Sequence, residues 1–569
     1  MVLAASVASG STEDEGVVLR VGLGQPWTSL NVTVGFEVSA YEIWNLHYAT
    51  LTDKAADDFA TTPGLAESWE GSDDGLTYTY TLREGLQWSD GTPLTAEDIA
   101  WTINTSRDQG WTNHVATTAN LDAVAVDERT VEITSSVPDP KLPTMDVYIV
   151  PKHIWEPIAP DGEAVTAYEA LEGVGSGPFV IEEYQPEQFV RMRANPNYWQ
   201  GEPAVDTVVF QVYTNPDAMV AALQAGELDA IHDVPEQSMA TLDEDPNIVT
   251  VAGYQGGFDE LAINGGAAEG QPHPALLDPV VRRAIGMALD KEAVIEDVLA
   301  GFGEPATTIS PSADPSWVPD LPDDVVIPFD VAGANALLDE AGYVDNDGDG
   351  VREMPGGGDN IVLRHGVNTD STTYTAIGEL FPSWMEAIGI GVELESYDGG
   401  QLFEIIVNGD YDTFVWGWTP FVDPDPMLSY FTADQLGNYN DANWSDPAYD
   451  ALYVEQNQEL DPDRRKEIVH EMLQLFYESG VYYPLYYSPD LQAYRTDRFE
   501  GWIKQPADIG PVMFSNTSPS YFNLQPIGGA AGGGVNTTVL IVAAAVVLAA
   551  VALLVVNSRR KRATADERE

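Results

Sequence analysis

From Val539 to Val556 the chain runs for eighteen residues without one polar side chain. As a helix at about 1.5 Å per residue this run is about 27 Å long, close to the hydrocarbon thickness of a bilayer. Arg559, Arg560, Lys561 and Arg562 follow at once, and basic clusters of this kind stay on the cytoplasmic side. The reading is a single membrane helix at 537–557 with a short charged cytoplasmic tail at 558–569. "GGAAGGG", inside a segment at 526–536, reads as a flexible tether. Whatever precedes it must fold as a body on the outer side. At the other end "MVLAASVASG" has small residues at Ser6 and Ala8 but no basic start, so 1–16 reads as the remnant of a signal peptide and linker.

That body is large and acidic. The chain has 569 residues, with 25 Lys plus Arg against 91 Asp plus Glu, a formal net charge of −66. Such a surface repels nucleic acid and anionic lipid, which excludes a nucleic-acid partner and points to a solvated coat. Hydrophobic residues make up 44% of the chain, enough for packed cores. There is no cysteine, so disulfides, thiolate metal sites and cysteine nucleophiles are all excluded.

Helical and strand patterns are interspersed without a repeat, as in α/β lobes. "TYTYTLREGLQWS" (77–89) alternates like a strand pair, and "VDTVVFQVY" reads as a strand. The run from Asp217, "DAMVAALQAGELDAI", has helical periodicity with a glycine turn. "PVVRRAIGMALDKEAVIEDVL" (279–299) and "PDRRKEIVHEMLQLFYESG" (462–480) are helices that start with proline. Thr95 reads as an N-cap, with Asp98 placed for the positive first turn. Gly175 and Gly177 suit a tight turn before "FVIEEY", and Asn195 and Asn197 a second one backed by Tyr198 and Trp199.

Five blocks then occur in order: 65–103 around "LREGLQWSDGTPLTAEDIAW", "GSGPFVIEEY" (175–184), "RANPNYWQGEPAVD" (193–206), "HPALLDPVVRRAIGMALDKEAVIEDVLAGFG" (273–303) and "GDYDTFVWGWTPFVDPDP" (409–426). Together they resemble the family 5 extracellular solute-binding proteins of ABC importers, which include oligopeptide, dipeptide and nickel receptors. The resemblance runs from about residue 18 to 525. It implies the two-lobed type II periplasmic-binding-protein fold, cluster C, with an extra inserted subdomain. Lobe I is then 17–46, 175–262 and 492–525, the inserted subdomain 47–174, and lobe II 263–491. It also implies a monomeric receptor that closes over a solute and hands it to an ABC permease.

Two segments line the cleft by this resemblance. One is "NVTVGFE", where Val34, Gly35 and Phe36 would offer backbone to a peptide ligand as an added strand does. The other holds Trp416, Trp418, Phe421, Asp423 and Asp425, with Tyr439 beyond it. Trp418 matches a tryptophan that packs on ligand in peptide-binding relatives. Three residues later those relatives carry an aspartate that pairs with the peptide ammonium, and here Phe421 stands in its place. A desolvated ammonium needs an anionic partner. Either Asp423 takes over, or the ligand brings no free amine. Peptide is the first reading of the solute. Carbohydrate is the second, because aromatics beside carboxylates also suit sugars. Seven histidines without a ligand cluster argue against nickel.

No G-x-S-x-G, H-E-x-x-H or Cys-His signature appears, so an enzyme is not expected. No cofactor is required. One motif stays open: "DNDGDGVREM" (345–354) opens like a calcium loop with Asp345, Asp347 and Asp349. Its twelfth position is Gly356 rather than a bidentate Glu, and Glu353 stands at the ninth. The expectation is a helix-to-strand connection in which these four acids either hold a structural Ca²⁺ or form a solvated acidic turn. Sequons at Asn31, Asn104, Asn443, Asn516 and Asn536 offer glycosylation sites.

Overall fold

A computed structural model describes residues 16–528, apart from 28, 36, 37, 112, 113, 115, 116, 170–172 and 268–271. The segment expected to be a membrane helix at 537–557, most of the expected tether, the tail and Asn536 lie outside the described residues, as does Phe36. Among the described residues no helix is long and apolar enough to cross a membrane.

One eleven-stranded mixed sheet organises both lobes. Two long strands, Ile248–Ile263 and Tyr482–Arg495, pair antiparallel and cross from one lobe to the other. Their pairing breaks between Tyr254↔Pro489 and Phe258↔Tyr487. Gln255, Gly256 and Gly257 bulge there against the single Ser488, which bends the pair. Gly256 has φ +76°, and a Cβ on it would lie 2.5 Å from the Ser312 carbonyl oxygen, so only glycine fits the bend.

On one side of the break, Val18–Leu23 runs parallel to Thr207–Val212 and to Ala230–Ile231, and Phe179–Gln185 with Phe189–Ala194 completes the edge. On the other, Thr413–Trp418 pairs with the long strand Ile248–Ile263, followed by Val362–Asn368 and Gly391–Tyr397. Each half carries its own buried cores on the two faces of its sheet. A separate four-stranded antiparallel sheet packs under the helix Ala96–Gln109 around Leu82, Trp88, Ile99 and Ile133.

Local chemistry explains most helix ends. Thr95 and Asp98 form a reciprocal capping box, and Gly110 closes that helix in the left-handed region. Asp278 caps Pro279–Ala288, where the helix expected over 279–299 breaks, and Asp290 caps a second one from Lys291; Asp461 caps Pro462–Ser479, which stops at Gly480. The run from Asp217 is helical only to Ala225; Gly226 ends it, and Ala230–Ile231 is a strand. The alternation at 77–89 yields one strand, Thr77–Leu82, not a pair. Beyond Arg83 the chain turns, with only an isolated bridge between Gln87 and Pro93. Gly175 and Gly177 are required for close approach rather than for a turn angle, since a Cβ on either would lie within 2.3 Å of the His47 or Leu46 carbonyl oxygen. Asn31 and Asn443 are buried side chains in this fold, so neither is open to a glycan.

Candidate functional site: the interlobe cleft

The lobe I wall begins where Val18–Leu23 runs out. Asn31 builds the loop that follows: its side-chain oxygen accepts from Thr33 N at 2.9 Å, and its amide donates to the Val165 carbonyl at 2.6 Å. The Val34 and Gly35 N–H groups both bond to the Asn31 carbonyl, at 3.1 and 2.9 Å. These two donors therefore serve the turn itself, which limits strand-like pairing with a ligand to other backbone groups. Gly35 packs so closely on Trp44 and the Ser29 carbonyl that a side chain has no room. Next along, the helix Val38–His47 presents Tyr41.

The lobe II wall rises from Thr413–Trp418. Alternation puts Trp416 and Trp418 on one face, opposite Glu260 and Phe258 of the long strand. Trp418 Nε1 donates to Tyr482 Oη at 2.8 Å. Tyr430 lies against the indole with ring centroids 5.0 Å apart, and Tyr439 stacks on Tyr430, also at 5.0 Å. Tyr439 is 44% exposed and Phe421 42%. Phe421 meets Tyr41 edge-on at 6.1 Å, so the aromatic wall runs from one lobe to the other. Burial, with Tyr430 and Tyr439 close by, pushes the Tyr41 hydroxyl up to about 12, so it stays a neutral donor at ordinary pH. Trp416 is half-buried against the lobe II core, while Phe431 and Trp444 belong to that core.

The two aspartates after Phe421 are engaged elsewhere. Asp423 forms a two-point pair with Arg465, both contacts at 2.8 Å. Asp425 accepts from Lys141 Nζ at 2.8 Å and from Gln456 Nε2 at 3.3 Å. Burial raises its pKa, but the Lys141 charge wins and the net shift is downward. Lys141 belongs to the segment beside the four-stranded sheet, so this pair also ties that subdomain to lobe II. Neither carboxylate is turned toward a ligand ammonium.

Several residues of the site carry no motif: Tyr41, Lys141, Glu260, Asp441 and Tyr482. For Glu260 a signal was present. An acid at an inward position of the apolar strand "FDELAI" is unusual enough to mark.

In the aspartate loop, Asp345, Asp347 and Glu353 can each point an oxygen to within 4.8 Å of the others. Asp349 is not among them; its Oδ2 accepts from Asn360 Nδ2 at 2.8 Å. The loop joins the helix Val331–Glu340 to the strand Val362–Asn368. Arg352 fastens its base through Ile388, Tyr343, Asp339 and Asn335. As a calcium loop it predicts that calcium raises the melting temperature of the wild type but not of Asp347→Ala; equal shifts reject the metal.

The model of the middle part of the bacterial extracellular solute-binding proteins, family 5, matches residues 60–440. The oligopeptide-binding protein AppA of Bacillus subtilis is 25% identical over 515 residues, 88% of this chain and 91% of AppA. The substrate-binding protein CtaP of Listeria monocytogenes superposes with a TM-score of 0.74 at 25% identity, covering 90% of this chain and 99% of CtaP. The structure of B. subtilis AppA with a nonapeptide gives 0.72 at 24% identity, covering 90% and 99%. The family and these neighbours are solute-binding proteins and not enzymes. On the matched residues and the two-lobed architecture, this chain belongs to family 5 of the bacterial extracellular solute-binding proteins.

Proposed function

We propose that the chain is an extracytoplasmic receptor that closes its two lobes over a peptide and passes it to an ABC import permease, held at the membrane by the helix at 537–557. One observation carries this reading: an aromatic wall that crosses the cleft, Tyr41 to Phe421, beside a two-strand hinge at Gly256. Such a wall buries a ligand's apolar surface and excludes water when the lobes close. The names of the oligopeptide- and di/tripeptide-binding relatives favour peptide as the solute. With Phe421 in the cleft, and Asp423 and Asp425 paired elsewhere, recognition rests on backbone and side-chain contacts more than on the N-terminal charge.

The test is a thermal-shift and calorimetric screen with trialanine, a nonapeptide, their N-acetylated forms and maltotriose. Peptide at about 100 times its Kd stabilises by about 2.7 kcal/mol, and N-acetylation changes affinity by less than about threefold, under 1 kcal/mol. A shift with maltotriose alone replaces peptide by carbohydrate. That second reading draws on the stacked Tyr430 and Tyr439.

A further inference from the structure

Behind the cleft tryptophan lie two carboxylates without a cation. Glu260 is fully buried on the face of the long strand that carries Phe258, and neither of its oxygens has a hydrogen-bond donor in place. Asp441 is 4% exposed. Its Oδ1 also lacks a donor, while Oδ2 accepts from Tyr482 Oη at 3.1 Å and lies 3.3 Å from Trp418 Nε1. The Tyr482 hydroxyl is the group on which Asp441 and Glu260 both act.

The surroundings offer no countercharge. Strand Thr413–Trp418 contributes Trp416 and Trp418. The second long strand contributes Tyr482, and the Tyr411 hydroxyl donates to the Asp441 carbonyl. Asp259 turns to the opposite face, where Tyr374 donates to it at 2.7 Å and Ser488 donates as well. Among the described residues no arginine, lysine or histidine forms an ion pair with Glu260, Asp441 or Asp259; the nearby arginines pair elsewhere, Arg465 with Asp423 and Arg364 with Asp410 and Asp412.

Counting protons decides the state of the network. A tyrosine hydroxyl has one proton to give. Tyr482 gives it to Asp441 and accepts the Trp418 N–H. A charged Glu260 is then left buried with no donor at all, the costliest condition for a carboxylate. As a neutral acid it becomes a donor itself, toward the Tyr482 oxygen that holds the indole. We propose that Glu260 is held protonated as a positioning residue for Trp418, and that ionisation of the Glu260–Asp441 pair turns the indole and weakens solute capture as pH rises.

The direction of the titration agrees. Burial pushes Asp441 up to about 7, and burial with the neighbouring Asp441 charge pushes Glu260 well above the carboxylate range. Both acids keep their protons longer in the folded state than in the unfolded one. Their contribution to stability is therefore greatest at low pH and declines as pH rises from the ordinary carboxylate range through about 7.

The proposal rests on the receptor reading for its effect on capture, but its first test needs no solute. The full chain labelled with 5-fluorotryptophan, with Trp418→Phe to assign the signal, is followed by ¹⁹F NMR from about pH 5 to about pH 9, a span that brackets the raised carboxylate. The Trp418 resonance should titrate in the wild type. In Glu260→Gln, where Asp441 alone can still ionise, its movement should be smaller than the wild type's. Tyr482→Phe, which removes only the hydroxyl link, should abolish the response and covers the case in which Glu260→Gln does not fold. A stationary wild-type resonance, or Glu260→Gln titrating as the wild type does, overturns the proposal. So does a resonance that moves with sodium or calcium instead of pH, which would make the pair a cation site.

In the capture arm, affinity for trialanine should fall about tenfold per unit of differential pKa as the pair ionises, and the fall should be smaller in Glu260→Gln, where only Asp441 remains to ionise. Absence of trialanine binding at every pH counts against the peptide reading and leaves the resonance result to decide this one.

Discussion

Asp423→Ala is expected to lower folding stability by about 3 kcal/mol while leaving the cleft aromatics in place. The Arg465 side chain is 7% exposed and sits on the helix Pro462–Ser479, which anchors the lobe II core. Asp423 meets it with both oxygens at 2.8 Å, and Gln456 accepts from Nε at 3.1 Å. Removing the carboxylate leaves a buried guanidinium short of two acceptors. Breaking a buried pair from one side costs about 3–5 kcal/mol. The Asp423 side chain is 24% exposed, so water reaches the gap and places the loss at the lower end.

Urea denaturation reads this as a lower midpoint with an unchanged slope. The double variant Asp423→Leu, Arg465→Met should lose less than the single one, because no unpaired charge remains. The variant also separates two roles for Asp423. A residue recruited to bind an ammonium would, when removed, weaken peptide binding and spare the midpoint. A loss within about 0.5 kcal/mol, the scatter expected of a surface substitution, would show that the pair contributes nothing.

Capping and packing were readable along the chain because their causes are local. Thr95 with Asp98, Pro279 behind Asp278, and Gly480 after the helix from Pro462 each satisfy their own backbone within a few residues. The run from Asp217 misled because Gly226 ended the helix, and the next apolar pair was claimed by a strand lying beside Val18–Leu23, more than two hundred residues earlier in the chain. The cleft divides along the same line. Trp418, Phe421 and Tyr439 were visible in or close after one short block, whereas Tyr41 and Tyr482 come from distant segments that only the fold brings together. Asp423 and Asp425 illustrate the converse. Adjacency to Trp418 suggested a ligand role, but past the strand end at Trp418 the bend before Pro424 and the helix that opens at Asp425 aim them at Arg465 and Lys141.

Trp418→Ala should cost solute binding about 2–4 kcal/mol, or about 30- to 1,000-fold in Kd, the largest effect of any single cleft substitution. Trp418 stands at the junction of both parts of the site. Its ring face carries Tyr430 and through it Tyr439, and its Nε1 anchors on Tyr482 over Asp441. Truncation therefore removes contact area, unseats the stacked tyrosines, and leaves the Tyr482 oxygen without its donor. Trp418→Phe separates these terms, since it keeps most of the area and deletes only the N–H. It should lose about 0.5–1.5 kcal/mol of binding, the cost of ordering at the solute a ring that Tyr482 no longer holds in place. Tyr439→Ala, at the exposed rim of the same stack, should lose less than about 1 kcal/mol. Calorimetry with the peptide retained by the screen gives all three values. The ranking Trp418→Ala, then Trp418→Phe, then Tyr439→Ala is what an anchored aromatic wall requires. Equal losses at all three would instead describe a diffuse apolar surface, on which Trp418 has no special position.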